Sequence, residues 1–337
     1  MAFFESLRTA LGRYATGVHE AAAPASEETL ARAERRLERR LPAAYRDFLL
    51  SWNGVALFHE AYTLLPIDEV EAGRGPFLII GETPEGGLWL DGDGAIYLVD
   101  EAAPDPLLAG TGLGRFLDAL LAREALVLDR DGEFRDVFTD DEEAVLLPEV
   151  RRKRARLGQK HDPGATLYAL EQAELLCEEG EDPEARQLLE QATGPLGAHA
   201  LGGGPAWELL AALRRQQGDT AGAEAAALKA ADATWDPFLR ASRLLDAAEA
   251  AAARAQAGGG DGAAAAHAQA AWRADDEHAE RLLTEAKRLL GEGAVDEARR
   301  LVERLRLLCR AEQDRPEQAG LERLERELRT RDALRLV

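Results

Sequence analysis

The stretch LPAAYRDFLLSWNGVALF, residues 41–58, decides how the first half of the chain folds. Pro42 suits the first turn of a helix, because its fixed φ matches and its missing N–H is not needed there. Tyr45, Phe48, Leu49 and Trp52 follow at three- and four-residue spacing, which makes one apolar helix face. Asn53-Gly54 then stops the helix, since glycine tolerates the left-handed conformation of a helix end. Upstream, Ser26 is placed to cap an earlier helix, with Glu27 and Glu28 in its first turn. Leu30, Ala33, Leu37 and Leu41 form the apolar stripe of that helix.

Downstream the period changes from helix to strand. TLLPI (63–67) and PFLIIGE (76–82) read as strands. GGLWLDGDGAIYLVDE (86–101) reads as a hairpin, with Asp-Gly-Asp-Gly as its turn. GLGRFLDALLARE (112–124) is an amphipathic helix that should pack through Phe116, Leu117, Leu120 and Leu121. The first half is therefore α+β, with helices on a mainly antiparallel sheet.

The second half has a different grammar. Turns built on Gly180, Gly218, Gly260 and Gly293 each follow one helical stretch and open another, at spacings of 38, 42 and 33 residues. Recurrence of that length indicates stacked helix pairs, each needing its neighbour to bury its apolar face. The expected organisation is an N-terminal helix or arm (1–25), an α+β domain (26–150) and a linker (151–164). All-α helical repeats (165–310) and a capping helix (311–337) follow, the last carrying the stripe Leu321, Leu324, Leu328.

The chain has 337 residues, is 46 % hydrophobic and carries a net charge of −21. Such acidity argues against nucleic-acid binding, which needs a basic face. The charge is uneven: residues 1–150 hold 13 arginines, no lysine and 29 acidic residues, a net −16. The run Arg151-Arg-Lys-Arg-Ala-Arg156 reads as a solvated helix whose arginines pair with the acidic domain. Two cysteines, Cys177 and Cys309, lie in separate helical segments, which fits a reducing compartment. With neither a signal-like start nor an apolar window of membrane-spanning length, a cytoplasmic protein is expected.

Residues 26–124 resemble the SUKH superfamily. The resemblance rests on ETLARAERRLERRLP, on the tyrosine and phenylalanine of AAYRDFLLSWNG, on LLPIDEV with Pro66, and on strands ending in LVDE. It implies a protein-binding scaffold, which in many bacterial members neutralises a toxin domain. Residues 165–310 resemble tetratricopeptide repeats. Ala173, Ala211 and Ala286 sit at the small position of the first helix, Ala185, Ala223 and Ala298 at that of the second, and Trp207 sits four residues into the second repeat.

No catalytic set can be assembled: GxSxG and HExxH are absent, and the six histidines are scattered. Asp91-Gly-Asp-Gly94 lacks the remaining ligands of a calcium loop and reads as a turn. Gly110-Thr-Gly-Leu-Gly114 lacks the fingerprint spacing of a phosphate loop. The expectation is a non-enzyme with no cofactor and no metal, binding neither nucleic acid nor membrane. Its partner would be a protein, a basic toxin domain steered by the acidic N-terminal domain. An adaptor working through the repeat arm is the alternative. Partner-binding candidates are Glu82, Glu85, Trp89, Asp91, Asp93, Tyr97, Asp100 and Glu101, with Trp89 and Tyr97 as anchors if they face outward. Pro42, Tyr45, Phe48, Trp52, Asn53, Gly54 and Trp207 are assigned structural roles.

Overall fold

The computed structural model describes residues 4–100, 105–139, 145–194, 197–256, 262–275, 277–292, 294–311 and 317–335. The chain divides into two compact units, Met1–Ala206 and Trp207–Val337.

The first unit opens with α1 (Glu5–Arg13), β1 (His19–Ala21), α2 (Glu27–Arg36) and α3 (Ala43–Leu49). Six strands come next: β2 (Val55–Leu57), β3 (Tyr62–Leu64), β4 (Glu71–Ala72), β5 (Leu78–Thr83), β6 (Gly86–Leu90) and β7 (Ile96–Val99). The last strand, β8 (Leu107–Gly110), leads into α4 (Leu113–Glu124). The sheet is antiparallel in the order β1-β2-β3-β5-β6-β7-β8, with β4 paired beside β5. Residues 1–25 thus contribute a helix and an edge strand, and Leu7 of α1 is fully buried in the shared core.

Ser26 caps α2 as its sequence suggests, its hydroxyl accepting from Thr29 N–H at 3.1 Å. Pro42 sits one residue earlier than a first-turn proline, at the N-cap of α3. Tyr45, Phe48 and Leu49 are buried, and Trp52 packs half-buried against Phe48 and Phe4. The helix stops at Leu49, and Trp52 N–H closes a last turn onto the Phe48 carbonyl at 2.8 Å. Asn53 and Gly54 then feed the chain into β2. Asn53 Oδ1 accepts from Ile67 N–H at 2.9 Å, which ties the corner to the segment that follows β3. Gly54 has φ +101, and a Cβ there would lie 2.9 Å from the Leu64 carbonyl oxygen. Both its backbone angle and its surroundings demand glycine.

The segment 151–164, expected as a linker, is instead mostly α5 (Pro148–His161), packed between α4 and α6 (Thr166–Glu178). Its arginines hold it in place. Arg154 bonds Glu124 of α4, while Arg151 and Arg152 pair with Glu178 and Glu179 at the C-terminal end of α6. Asp162, fully buried, closes the arrangement by accepting from Thr111 N–H at 2.6 Å. Next come α7 (Asp182–Thr193) and a 3-10 segment (Gly197–Gly203) that lies against β8.

α8 (Gly204–Gln216) leads into the second unit, which continues with α9 (Thr220–Asp232), α10 (Pro237–Gln256), α11 (Gly262–Ala274), α12 (His278–Glu292), α13 (Val295–Ala311) and α14 (Glu317–Arg335). The region after the sheet is thus all-helical. Ala173, Ala185, Ala211, Ala223, Ala286 and Ala298, picked out as small positions, are all buried. Gly180 and Gly218 take the left-handed conformation their turns require, whereas Gly260 and Gly293 lie outside the described residues. Trp207 is half-buried at the start of this unit. Leu321, Leu324 and Leu328 of α14 are buried against α12 and α13.

His278, 1 % exposed, stacks on Phe238 with ring centroids 4.8 Å apart, and neither ring nitrogen has a protein partner. Burial holds its pKa down at about 4, below the ordinary 6.5. Between those values the unfolded chain takes up a proton that the folded chain refuses. Stability therefore falls as pH drops from about 6.5 to 4. His278→Leu removes two unpartnered polar atoms and is expected to stabilise by about 1 kcal/mol at neutral pH. Its urea midpoint should also fall less than that of the parent between pH 7 and pH 4. Gly54→Ala is expected to cost about 2 kcal/mol or more in the same assay, through backbone strain plus the clash at Leu64.

Candidate partner interface on the sheet

The sheet has two faces, and the register assigns each candidate residue to one of them. Leu78, Leu88, Leu90 and Ile96 point to the first face, where they join the core under α3 and α4. Ile79, Trp89 and Tyr97 are cross-strand neighbours on the second face. Glu82 pairs with Gly87, which stands two residues before Trp89 and so on the same face. Glu82 and Trp89 therefore share a surface separated only by a glycine. The indole leans that way: a Cβ on Gly87 would lie 3.0 Å from Trp89 Nε1.

Tyr97 is not an outward anchor. It is 1 % exposed, its ring meets Phe77 edge-on at 5.0 Å, and its hydroxyl donates to Asp91 Oδ2 at 3.1 Å. Burial and the Asp91 charge push the hydroxyl pKa well above the ordinary tyrosine range. Asp91 is likewise enclosed. Its Oδ1 accepts from Asp93 N–H and Ala95 N–H, both at 2.9 Å, and so builds the turn of the β6–β7 hairpin. The calcium-like spacing of Asp91 and Asp93 is thus the spacing of an Asx turn. Among the described residues, no group of three or more His, Cys, Asp or Glu is placed to hold a metal ion.

His199 completes this cluster from a hundred residues further on. Its Nδ1 lies 3.1 Å from the Tyr97 hydroxyl and 3.3 Å from Asp91 Oδ2. His199 Nδ1 thus faces both members of the Tyr97–Asp91 pair. The 3-10 segment therefore covers the β7–β8 end of the second face. Nothing local to the hairpin announces this; only a polar pair inside a strand pattern hints that a partner is needed.

What remains exposed is the other end. Glu82, Glu85, Asp93 and Asp100 are exposed and Trp89 is half-buried. Gly86 and Asp100 are close neighbours at the β5–β6 turn, so Glu82, Glu85 and Asp100 gather at one end of the strands, with Asp93 at the opposite turn. Glu101 lies outside the described residues, as do Asp140, Asp141, Glu142 and Glu143. Asp105 is buried, and Asp131, Glu133 and Asp136 are exposed on the loop after α4.

Residues 24–114 match the family model described as SMI1 / KNR4 family (SUKH-1). The match runs from just before α2 to the start of α4 and contains the whole candidate face. No curated protein matches the chain. Residues 24–114 are thus similar to the SMI1 / KNR4 (SUKH-1) family, and an all-helical region follows the sheet. No helix among the described residues is long and apolar enough to cross a membrane.

Asp91→Ala is expected to destabilise the protein by about 3 kcal/mol, because it strands two turn N–H groups and the Tyr97 hydroxyl. Tyr97→Phe, which leaves the turn intact, should cost only about 1 kcal/mol. Urea unfolding of the two variants checks the order; equal losses would remove Asp91 from its organising role.

Proposed function

We propose that this protein is a non-enzymatic immunity protein that sequesters a basic toxin domain through the second face of its sheet. The observation that carries the reading is the adjacency of Glu82 and Trp89 across the side-chain-free Gly87. An indole face attracts a guanidinium or ammonium group, and a carboxylate beside it supplies the counter-charge. Glu85 and Asp100 extend the negative field at the same end of the strands. Toxins that act on nucleic acid carry basic surfaces, because their substrate is polyanionic. A domain with net −16 would meet such a surface by long-range steering and hold it through a central aromatic anchor. The family match supports a protein partner of this kind. In this reading the chain needs no cofactor, works in the cytoplasm, and uses the helical region as a support.

The test is a capture experiment from native lysate followed by measured affinities. At low salt the protein should retain one stoichiometric partner with a basic domain, and several hundred millimolar salt should release it. Trp89→Ala and Glu82→Lys are each expected to weaken the purified complex by tenfold or more, about 1.4 kcal/mol. His278→Leu should leave affinity unchanged. A partner that binds the Trp89 and Glu82 variants as tightly as the parent would move the activity to the helical region and to an adaptor role.

A further inference from the structure

Between α4 and α5 the chain folds back on itself twice. Asp129 Oδ1 accepts from Asp131 N–H at 2.9 Å and from Glu133 N–H at 3.1 Å, the same Asx turn that Asp91 builds in the β6–β7 hairpin. The turn sets Phe134 opposite Leu128, and Arg135 N–H donates to the Val127 carbonyl at 2.8 Å. A second return sets Phe138 opposite Leu146, with Thr139 N–H donating to the Val145 carbonyl at 2.8 Å. The backbone on both sides of Phe134 is thus pinned, while its side chain is 72 % exposed.

Among the described residues, Phe134 and Val145 are the large apolar side chains left exposed, and they belong to one patch. The Phe134 ring meets Phe138 edge-on, with centroids 5.3 Å apart. Phe138 and Val145 in turn line an open groove of about 430 Å³, together with Leu146 and the buried Leu175. A joined apolar patch rimmed by charge marks a docking surface, whereas single exposed apolar residues do not. The charge left unspent around it has one sign. Arg123, Arg151 and Arg154 of the groove already pair with Glu171, Glu178 and Glu124. Glu174, also in the groove, and the exposed Asp131, Glu133 and Asp136 make no side-chain hydrogen bond or ion pair among the described residues. Partial burial, then the charges of Glu171 and Glu178, raise the Glu174 carboxyl above its ordinary range, a cost that an adjacent cation would relieve. Along the sequence, residues 129–143 hold eight acidic residues and two arginines.

We propose that this groove docks a basic segment of a partner protein that also carries apolar side chains. One apolar side chain of the segment seats on Phe138, Val145 and Leu146, against the fixed ring of Phe134. Its lysines or arginines meet Glu174, Glu133 and Asp136. The pinned backbone lowers the ordering cost of binding, because Phe134 is already held in place. The surface goes beyond the sheet-face reading and shares no residue with Trp89 or Glu82.

The experiment uses the full-length protein and the fluorescence anisotropy of labelled, end-capped peptides of about twelve residues. Salt is held at about 150 mM, where a Debye length of about 8 Å suppresses long-range attraction to the net charge. The probe alternates lysine with leucine, and an all-lysine peptide and a glutamate–leucine peptide are the comparisons. The expected result is saturable binding of the lysine–leucine peptide, with the other two at least about tenfold weaker. Phe134→Ser and Val145→Ser should each weaken it about tenfold or more, and Glu174→Gln about threefold. Both apolar side chains are exposed, so the serine variants should match the parent in urea unfolding, and Phe134→Trp should keep the affinity. Absence of saturable binding overturns the proposal. So does a comparison peptide that binds as tightly as the probe, or a pair of serine variants that bind as the parent does. Binding lost in Trp89→Ala and kept in Phe134→Ser moves the basic segment to the sheet face, which overturns this surface and leaves the proposed function standing. A parent that sediments as a dimer beside a monomeric Phe134→Ser variant gives the groove to a second copy and overturns the basic occupant.

Discussion

A backbone approach too close for any side chain governs the first unit. At Gly54 the chain leaves α3 and passes within contact distance of the Leu64 carbonyl, while Asn53 reaches across to Ile67 N–H. These two contacts set β2 against β3. The next pairing repeats the device: a Cβ at Gly81 of β5 would lie 2.0 Å from the Thr63 carbonyl of β3. Strands that close fix the register of everything beyond them, because a slip of one residue exchanges the faces of the whole sheet. Which residues of β6 and β7 look outward is therefore decided partly at residues 54 and 81. The connection from β2 to β3 bears the strain of so tight a return. Phe58, His59 and Glu60 all adopt positive φ, which non-glycine residues avoid. The buried Phe58 ring, held edge-on by Tyr14, His19 and Tyr62, keeps them there.

With the register set, the acidic residues sort into two populations. Asp91, Glu124 and Asp162 are buried and spend their oxygens on N–H and O–H donors of turns and neighbouring helices. Each ties together elements far apart in sequence. Glu82, Glu85, Asp93 and Asp100 stay in water and shape the field a partner meets. Composition alone counts both populations as one charge, and only burial separates the carboxylates that hold the fold from those left to recognise something.

The same sorting applies to the arginines of 151–156. As a sequence they are a basic run; in the structure Arg151 and Arg152 face α6 and Arg154 faces α4, because a helix turns successive side chains through about 100°. One run thus serves two neighbours. This joins α5 and α6 to the sheet and carries the first compact unit past the change in composition near residue 150, to Ala206.

Much of this was legible in the residues themselves. The α2 cap at Ser26, the apolar faces of α2, α3 and α4, the β6–β7 hairpin and the left-handed glycines at 180 and 218 follow from local periodicity and turn chemistry, which act over a few residues. The SUKH resemblance was legible for the same reason, as an ordered series of local signals. What the sequence could not determine depended on distance. Tyr97 turned inward because His199, a hundred residues later, closes over it with Asp91. Trp89 stayed near the surface because, beyond Phe77 and Ile79 beside it, the chain nearest its ring is Gly73 and Gly87, which have no side chains to cover it. The cavity lined by Leu88, Phe116, Arg123, Arg154 and Tyr168 exists because α4, α5, α6 and the sheet meet without filling the space between them. Periodicity says that a residue faces something; only the packed chain decides what that is.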